Sequence, residues 1–298
     1  MTAEVIEGLR PRPGGFFADG SIGGGGHAAA ILSASSPTGR LFGCDRDADA
    51  IEAATRRLAG FAGRFELRRG NFAELPQWVA AGSCDGVLLD LGVSSPQFDR
   101  PERGFSFREG PLDMRMDTRQ ALTAATFVNE ASVEDLATIF WELGGESNSR
   151  RYARAIVKQR EQRRFSTTRQ LAELIETLGP RGKKKHPATK VFQALRMAVN
   201  DEVGSLKLGL AGAFTVLKPG GRLVILTFHS VEDRMVKEFS RARARDYTFT
   251  GAVDVPELRK PRAPELKLVT RKALKPSEQE LETNPRSRSA QLRIFEKL

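Results

Sequence analysis

Four consecutive glycines, Gly23 to Gly26, lead into His27 between a strand-length apolar run and an alanine-rich stretch. Glycines there let the backbone come close to a ligand, and they expose amide groups at a helix start, where anions bind well. Asp45 stands about 20 residues beyond the loop, the spacing at which a carboxylate accepts the two hydroxyls of an adenosine ribose. Asn71-Phe72 offers an amide for the base and a ring to lie against it. Asp19 and Asp90 each end an apolar run, so several runs deliver polar groups to one edge. Nicotinamide dinucleotides and S-adenosyl-L-methionine both suit such a scaffold. The Gly-x-Gly-x-x-Gly pyrophosphate turn of the former is not cleanly present, and an acid closing the first strand suits the latter. The residues favour methyl transfer over hydride transfer.

Other chemistries are poorly served. His229, Ser230 and Asp233 lack the Gly-x-Ser-x-Gly elbow of a hydrolase. Ser230 and Asp233 read instead as a helix capping box, while His229 either faces a substrate pocket or is a satisfied strand-end histidine. Two cysteines, Cys44 and Cys84, both inside apolar runs, and three histidines argue against a disulfide scaffold or a zinc site, so no metal is expected.

The elements that must position these residues are repeated strand–helix units. Strands are expected at Gly15–Asp19, Arg40–Asp45, Arg64–Gly70 and Asp85–Asp90, with helices at Ala28–Ser33 and Ala48–Leu58. The rhythm resumes late, with a helix at Gly204–Leu217, a turn at Lys218-Pro219-Gly220-Gly221 and a fifth strand at Arg222–Phe228. Lys267–Ala273 and Ala290–Glu296 suit a closing antiparallel pair, and Gly251–Pro264 an irregular loop. Between the fourth and fifth strands helices dominate, at Val133–Leu143, Arg150–Gln162 and Thr168–Leu178. The expected organisation is an α/β domain from residues 1–103 and 191–298, interrupted by a helical domain at 104–190.

The chain has 298 residues, 40% hydrophobic and 28% charged, enough to bury a core. No apolar run approaches the roughly 18 residues of a membrane span, and no apolar signal region opens the sequence, so a cytoplasmic protein without membrane partners is expected. Net charge is +10. Residues 1–100 carry a net −2, whereas 101–200 and 201–298 carry +6 each. A polyanion such as nucleic acid suits that asymmetry, because phosphate contacts release condensed counterions. Arg150, Arg154 and Lys158 share one helical stripe, either an RNA-backbone contact or a solvated face, and Lys183-Lys184-Lys185 adds a basic cluster. Phe105 and Phe107, near Arg103 and Arg108, suit either base stacking or a core. Phe192, Leu195, Val199, Val203 and Leu206 follow core spacing, leaving Gln193, Arg196 and Asn200 to bond a base or brace a cleft.

Longer strings narrow the reading. Asp-Gly-Ser-Ile-Gly-Gly-Gly-Gly-His (19–27), Leu-Leu-Asp-Leu-Gly-Val-Ser-Ser-Pro-Gln (88–97), Arg-Gly-Phe-Ser-Phe (103–107) and Pro-Leu-Asp-Met-Arg-Met-Asp (111–117) occur in order. His-Pro-Ala-Thr-Lys-Val-Phe-Gln-Ala-Leu-Arg (186–196), Phe-His-Ser-Val-Glu-Asp-Arg (228–234) and Asn-Pro-Arg-Ser-Arg-Ser (284–289) follow. The chain resembles the bacterial 16S ribosomal RNA (cytosine-N4)-methyltransferases over nearly its whole length. The resemblance implies a class I S-adenosylmethionine-dependent (Rossmann-like) fold whose inserted α-helical domain, residues 104–190, recognises the substrate. It implies a target cytosine in the decoding (P-site) region of 16S rRNA in the small ribosomal subunit. Cofactor contacts carried over by matching positions are Gly25, Gly26, His27, Asp45, Phe72, Asp90 and Gln97. The family opens with a His-x-Pro-Val-Leu-Leu segment, and Thr2-Ala3-Glu4-Val5 starts after that point, leaving the cofactor residues untouched. Asp90 and His229 are the candidates for the group that accepts the cytosine amine, and Asp90 could equally serve the cofactor alone. A methyltransferase acting on other nucleic acid or on protein, and a non-catalytic ribosome-assembly factor, stay open. So does the oligomeric state, a homodimer included.

Overall fold

Apolar side chains on both faces turn the N-terminal runs into strands of a covered parallel sheet. The structure, a computed structural model, describes residues 1–179, 186–249 and 253–298. The chain divides into two compact units, Met1–Gly92 with Gly204–Leu298, and Val93–Val203.

In the first unit α1 (Thr2–Leu9), β1 (Phe16–Asp19), α2 (Gly26–Ala34), β2 (Arg40–Asp45), α3 (Ala48–Arg57), β3 (Phe65–Arg69), α4 (Leu75–Trp78) and β4 (Cys84–Asp90) precede the second unit. That second unit holds α5 (Ser95–Asp99), α6 (Ala124–Glu130), α7 (Val133–Glu142), α8 (Ser149–Gln162), α9 (Thr168–Leu178) and α10 (Thr189–Val199). The first resumes with α11 (Glu202–Val216, its first two residues across the boundary), β5 (Leu217–Thr227), α12 (Ser230–Ala244), β6 (Tyr247–Phe249) and β7 (Arg259–Pro261). It closes with β8 (Leu266–Leu268), α13 (Glu278–Thr283) and β9 (Gln291–Lys297).

The main sheet has seven strands in the order β3-β2-β1-β4-β5-β9-β8. The first five are parallel, and β9 pairs antiparallel with both β5 and β8. This is the class I methyltransferase arrangement. Its strand order reverses between β1 and β4, where open α/β sheets bind ligands at the carboxyl edge. Alternation along the strands feeds two cores: Val87, Leu89 and Ile225 pack with Leu206, Leu210 and Ala213 of α11, whereas Leu88 and Val224 pack with Phe17, Ile31 and Ile294.

Two local expectations change. The Lys218–Gly221 turn is absorbed into β5, where pairing shifts between Cys84 and Gly86 and Gly220 takes a positive φ. Gly251–Pro264 is not wholly irregular, because β7 folds back on β6 with Phe249 opposite Arg259; residues 250–252 lie outside the described set.

The second unit is helical around one core, including Leu136, Phe140, Tyr152, Ile156, Leu171, Ile175, Phe192, Leu195 and Val199. Its limits therefore differ from the expected 104–190. Residues 93–103 and 191–203 belong with the helices because α10 spends its apolar face on Phe140 and Tyr152. The spacing from Phe192 to Leu206 looks like one helix but is two. The chain breaks after Asn200, with Asp201 at φ 43°, and Leu206 buries in the sheet unit instead. Among the described residues no helix is long and apolar enough to cross a membrane.

Candidate cofactor site and catalytic residues

The carboxyl ends of β1, β2 and β4 bring Asp19, Asp45 and Asp90 to the glycine loop. Gly25 caps α2 at φ 75°, left-handed backbone that glycine adopts without strain. No heavy atom lies within 4 Å of where a Cβ on Gly24 would stand, so the loop has an open side. The Gly23 amide donates to Asp45 Oδ2 at 3.0 Å and the Asp47 amide to Oδ1 at 2.9 Å. Each oxygen keeps a further lone pair, which is what ribose hydroxyls need. Burial raises the pKa of Asp45, with the two amides working against it.

His27 Nε2 lies 3.5 Å from Asp90 Oδ2. Burial opposes the imidazolium, but the hydrogen bond and charge of Asp90, with Asp19 behind it, outweigh burial and raise the His27 pKa. Asp19 is buried, and burial pushes its carboxyl up to about 7 despite the charge of His27 and an amide bond from Ser21. Ser21 Oγ in turn accepts the Asp90 amide at 2.6 Å, tying loop to strand. His27 Nδ1 and Asp90 Oδ1 are buried without a partner among the described residues. Buried polar atoms left so cost about 1–3 kcal/mol each, and a polar ligand relieves that.

Phe72 begins a short 3-10 turn capped by Asn71, whose side chain also donates to Ser205 Oγ on α11 at 3.0 Å. The Phe72 ring reaches α11 because residue 209 is glycine: a Cβ there would stand 2.1 Å from the ring. Gly209, Ser21 and Ser205 are site-building residues that sequence reasoning missed. A glycine inside the apolar α11 run was the one available signal for the first. The donor set fits S-adenosyl-L-methionine: paired acceptors for a ribose, a ring for adenine, loop amides for a carboxylate, and acids for an ammonium group.

The remaining candidates lie in the helical unit, except His229. Gln97 is buried and its Oε1 accepts the Ser94 amide at 3.0 Å, capping α5. Phe105 is buried in the helical core, which removes it as a base-stacking ring. Phe107 stacks on His186 with centroids 4.5 Å apart and meets Phe192 edge-on at 4.8 Å, so both faces of the stacking idea are spent inside the protein. Asn200 is buried, donates to Met114 O and Arg196 O at 2.8 Å, and accepts the Met116 amide at 2.7 Å. It braces the 114–116 loop rather than offering its amide to a base. Arg196 pairs with Glu202 through two bonds of 2.7 and 2.8 Å, and Gln193 leans on Leu143 O at 3.5 Å. Arg150, Arg154 and Lys158 are exposed on α8, opposite buried Tyr152, Ala153 and Ile156, and no described residue pairs with them. Lys183–Lys185 lie outside the described residues.

The cap of α12 is not Ser230 with Asp233. His229 is the N-cap, with Glu232 Oε2 taking the Phe228 and His229 amides at 2.8 and 3.3 Å, and His229 Nε2 lies 3.2 Å from Glu232 Oε1. Asp233 instead binds Arg293 at 2.8 Å and Lys237 at 3.1 Å, which hold its carboxyl below the usual range against the opposing effect of burial.

A family model described as the MraW methylase family matches residues 1–298. Ribosomal RNA small subunit methyltransferase H of Syntrophotalea carbinolica is 50% identical over 305 aligned positions, covering 100% of this chain and 96% of that protein. The protein of the same name from Symbiobacterium thermophilum is 49% identical, covering 100% and 95%. Among solved structures, an rRNA methylase from Streptococcus thermophilus superposes with TM-score 0.41 at 12% identity, over 100% of this chain and 93% of that one.

Proposed function

The chain belongs to the MraW methylase family, and from that premise we propose that it carries a methyl group from S-adenosyl-L-methionine to the N4 amine of a cytosine in the decoding region of 16S rRNA. The observation that carries the reading is one sheet edge where Asp19, Asp45 and Asp90 meet an open glycine loop. The full-length relatives, named for the small-subunit rRNA, point to the substrate.

When bound, the cofactor supplies an electrophilic methyl group on a sulfonium. The chain's own residues hold and orient. Asp45 would take the ribose hydroxyls, Phe72 would lie against the adenine, and the amides from Gly24 onward would meet the carboxylate. The cytosine amine is conjugated with its ring and nucleophilically poor, so an acceptor that pulls on an N–H as the nitrogen pyramidalises assists attack. Asp90 suits that role better than His229, whose ring is committed to Glu232 and the start of α12. The target base must leave its stack first, and the exposed α8 cations suit phosphates that hold the strand meanwhile. The reading places the enzyme in the cytoplasm.

The test is transfer of labelled methyl to isolated small subunits, naked rRNA, DNA and protein, followed by nucleoside analysis. Label recovered as N4-methylcytidine in small-subunit RNA is expected. Label in DNA or protein, on another atom, or nowhere overturns the proposal.

A further inference from the structure

The Asn284–Ser289 string, so specific in the sequence, has no part in cofactor binding as described. Its place in the sheet unit gives it one. Because β9 runs antiparallel to β5 with Gln291 opposite Thr227, whatever precedes β9 lies where β5 ends, at the carboxyl edge that holds Asp90. A second segment reaches the same place: the Val269 and Thr270 amides donate to Ile294 O, and Leu274 bridges Leu292. Between them these segments carry Arg271, Lys272, Lys275, Arg286 and Arg288, all exposed.

The backbone under the cations is anchored. Residues 285–289 form a 3-10 turn in which buried Ser287 donates to Asn284 O at 2.7 Å and accepts the Ala290 amide at 2.7 Å. Arg286 and Arg288 flank that buried serine, and both are exposed. Among the described residues no carboxylate pairs with Arg271, Lys272, Lys275 or Arg288. The acids of the same stretch sit on α13, and Glu280 is engaged by the Met1 amino group at 2.8 Å. At the opposite edge of the sheet the pattern differs, with Arg12 and Lys218 on Asp85, Arg222 on Glu296, and Arg245 and Arg259 on Asp254.

We propose that this carboxyl-edge rim is a second RNA contact, binding the phosphates of the strand that carries the target nucleotide. It rests on the rRNA reading above and adds that the sheet unit itself grips the substrate. The cations of Arg271, Lys272, Lys275 and Arg288, carried on a hydrogen-bonded backbone at the edge that holds Asp90, bind phosphate with little ordering cost, and phosphate contacts position a strand without reading it.

The test compares the parent with R271Q/K272Q/K275Q/R288Q, the charge-preserving R271K/R288K, and K260Q/K267Q at the opposite edge. Binding to small subunits and to naked small-subunit rRNA is followed against salt, with cofactor affinity and thermal melts alongside. The quadruple variant is expected to bind both RNAs at least tenfold more weakly. Its slope of log affinity against log salt should fall by about 3, since each phosphate contact contributes roughly 0.7–0.9. Its KM for subunits rises more than kcat falls, and its cofactor affinity holds. R271K/R288K and K260Q/K267Q keep the parental slope. An unchanged slope in the quadruple variant overturns the rim, as does equal weakening by K260Q/K267Q or by R271K/R288K. Weakening confined to subunits, with naked rRNA bound normally, assigns the surface to a ribosomal protein and overturns it too. Should the parent itself methylate no small subunit, the rRNA reading fails; a methylating parent with an unaffected variant sinks the rim alone.

Discussion

At the residue scale the acids divide the labour by environment. Asp45 is pinned by two amides and partly open, so Asp45→Ala should weaken S-adenosyl-L-methionine binding by about 1–3 kcal/mol while the fold survives. Calorimetry that finds parental affinity in a folded variant removes Asp45 from the site. Asp19 is closed off and holds its proton until about pH 7. Its folded pKa lies above the ordinary 3.8, so the native state binds the extra proton and stability falls as pH climbs from about 4 to 7. His27, raised by Asp90 and Asp19 against burial, slopes the same way: its stabilisation is present below about 6.5 and is lost as pH rises through its folded value. Asp19→Asn should therefore raise the melting temperature at pH 8 and change it little at pH 4. Melting curves of variant and parent that stay parallel across that range would refute the buried proton.

At the element scale, capping and burial decide which side chains remain available. The α8 stripe keeps three unpaired cations because its other face is spent on Tyr152, Ala153 and Ile156. Replacing Arg150, Arg154 and Lys158 by glutamine should weaken RNA binding and lower its salt slope by about 2–3, leaving cofactor affinity alone. An unchanged slope returns the stripe to plain solvated surface. Helical spacing revealed this stripe, but it left open whether Asn200 bonds a base or braces a cleft, and the arginines beside Phe105 and Phe107 left open whether those rings stack a base or join a core. Periodicity tells which residues share a face, and not whether a core, a histidine ring or a loop carbonyl will meet it.

At the scale of the whole molecule, two cores imply two separable tasks. Cutting out only residues 110–185 would leave the apolar face of α10 bare, so the deletion that respects the cores runs from Val93 to Val203. With a short linker in its place the sheet unit should melt cooperatively and bind S-adenosyl-L-methionine within about tenfold of the parent. Methylation should be lost by orders of magnitude, because positioning the substrate contributes several kcal/mol to the barrier. A folded deletion variant that methylates small subunits near the parental rate would refute the substrate role of the helices.

The sequence by itself determined the parallel sheet and the meeting of the glycine loop with Asp45, because strand periodicity and loop-to-acid spacing are local properties. The closing antiparallel pair was legible for the same reason, each strand announcing itself by composition. Only the tertiary structure decided where the helical unit begins and ends, since α10 and α11 share one apolar spacing yet bury in different cores. It alone showed that Gly209 makes room for Phe72 and that Asp233 belongs to Arg293 instead of a helix cap. Partners distant along the chain settle the fate of a polar or aromatic side chain, and those partners are chosen by packing.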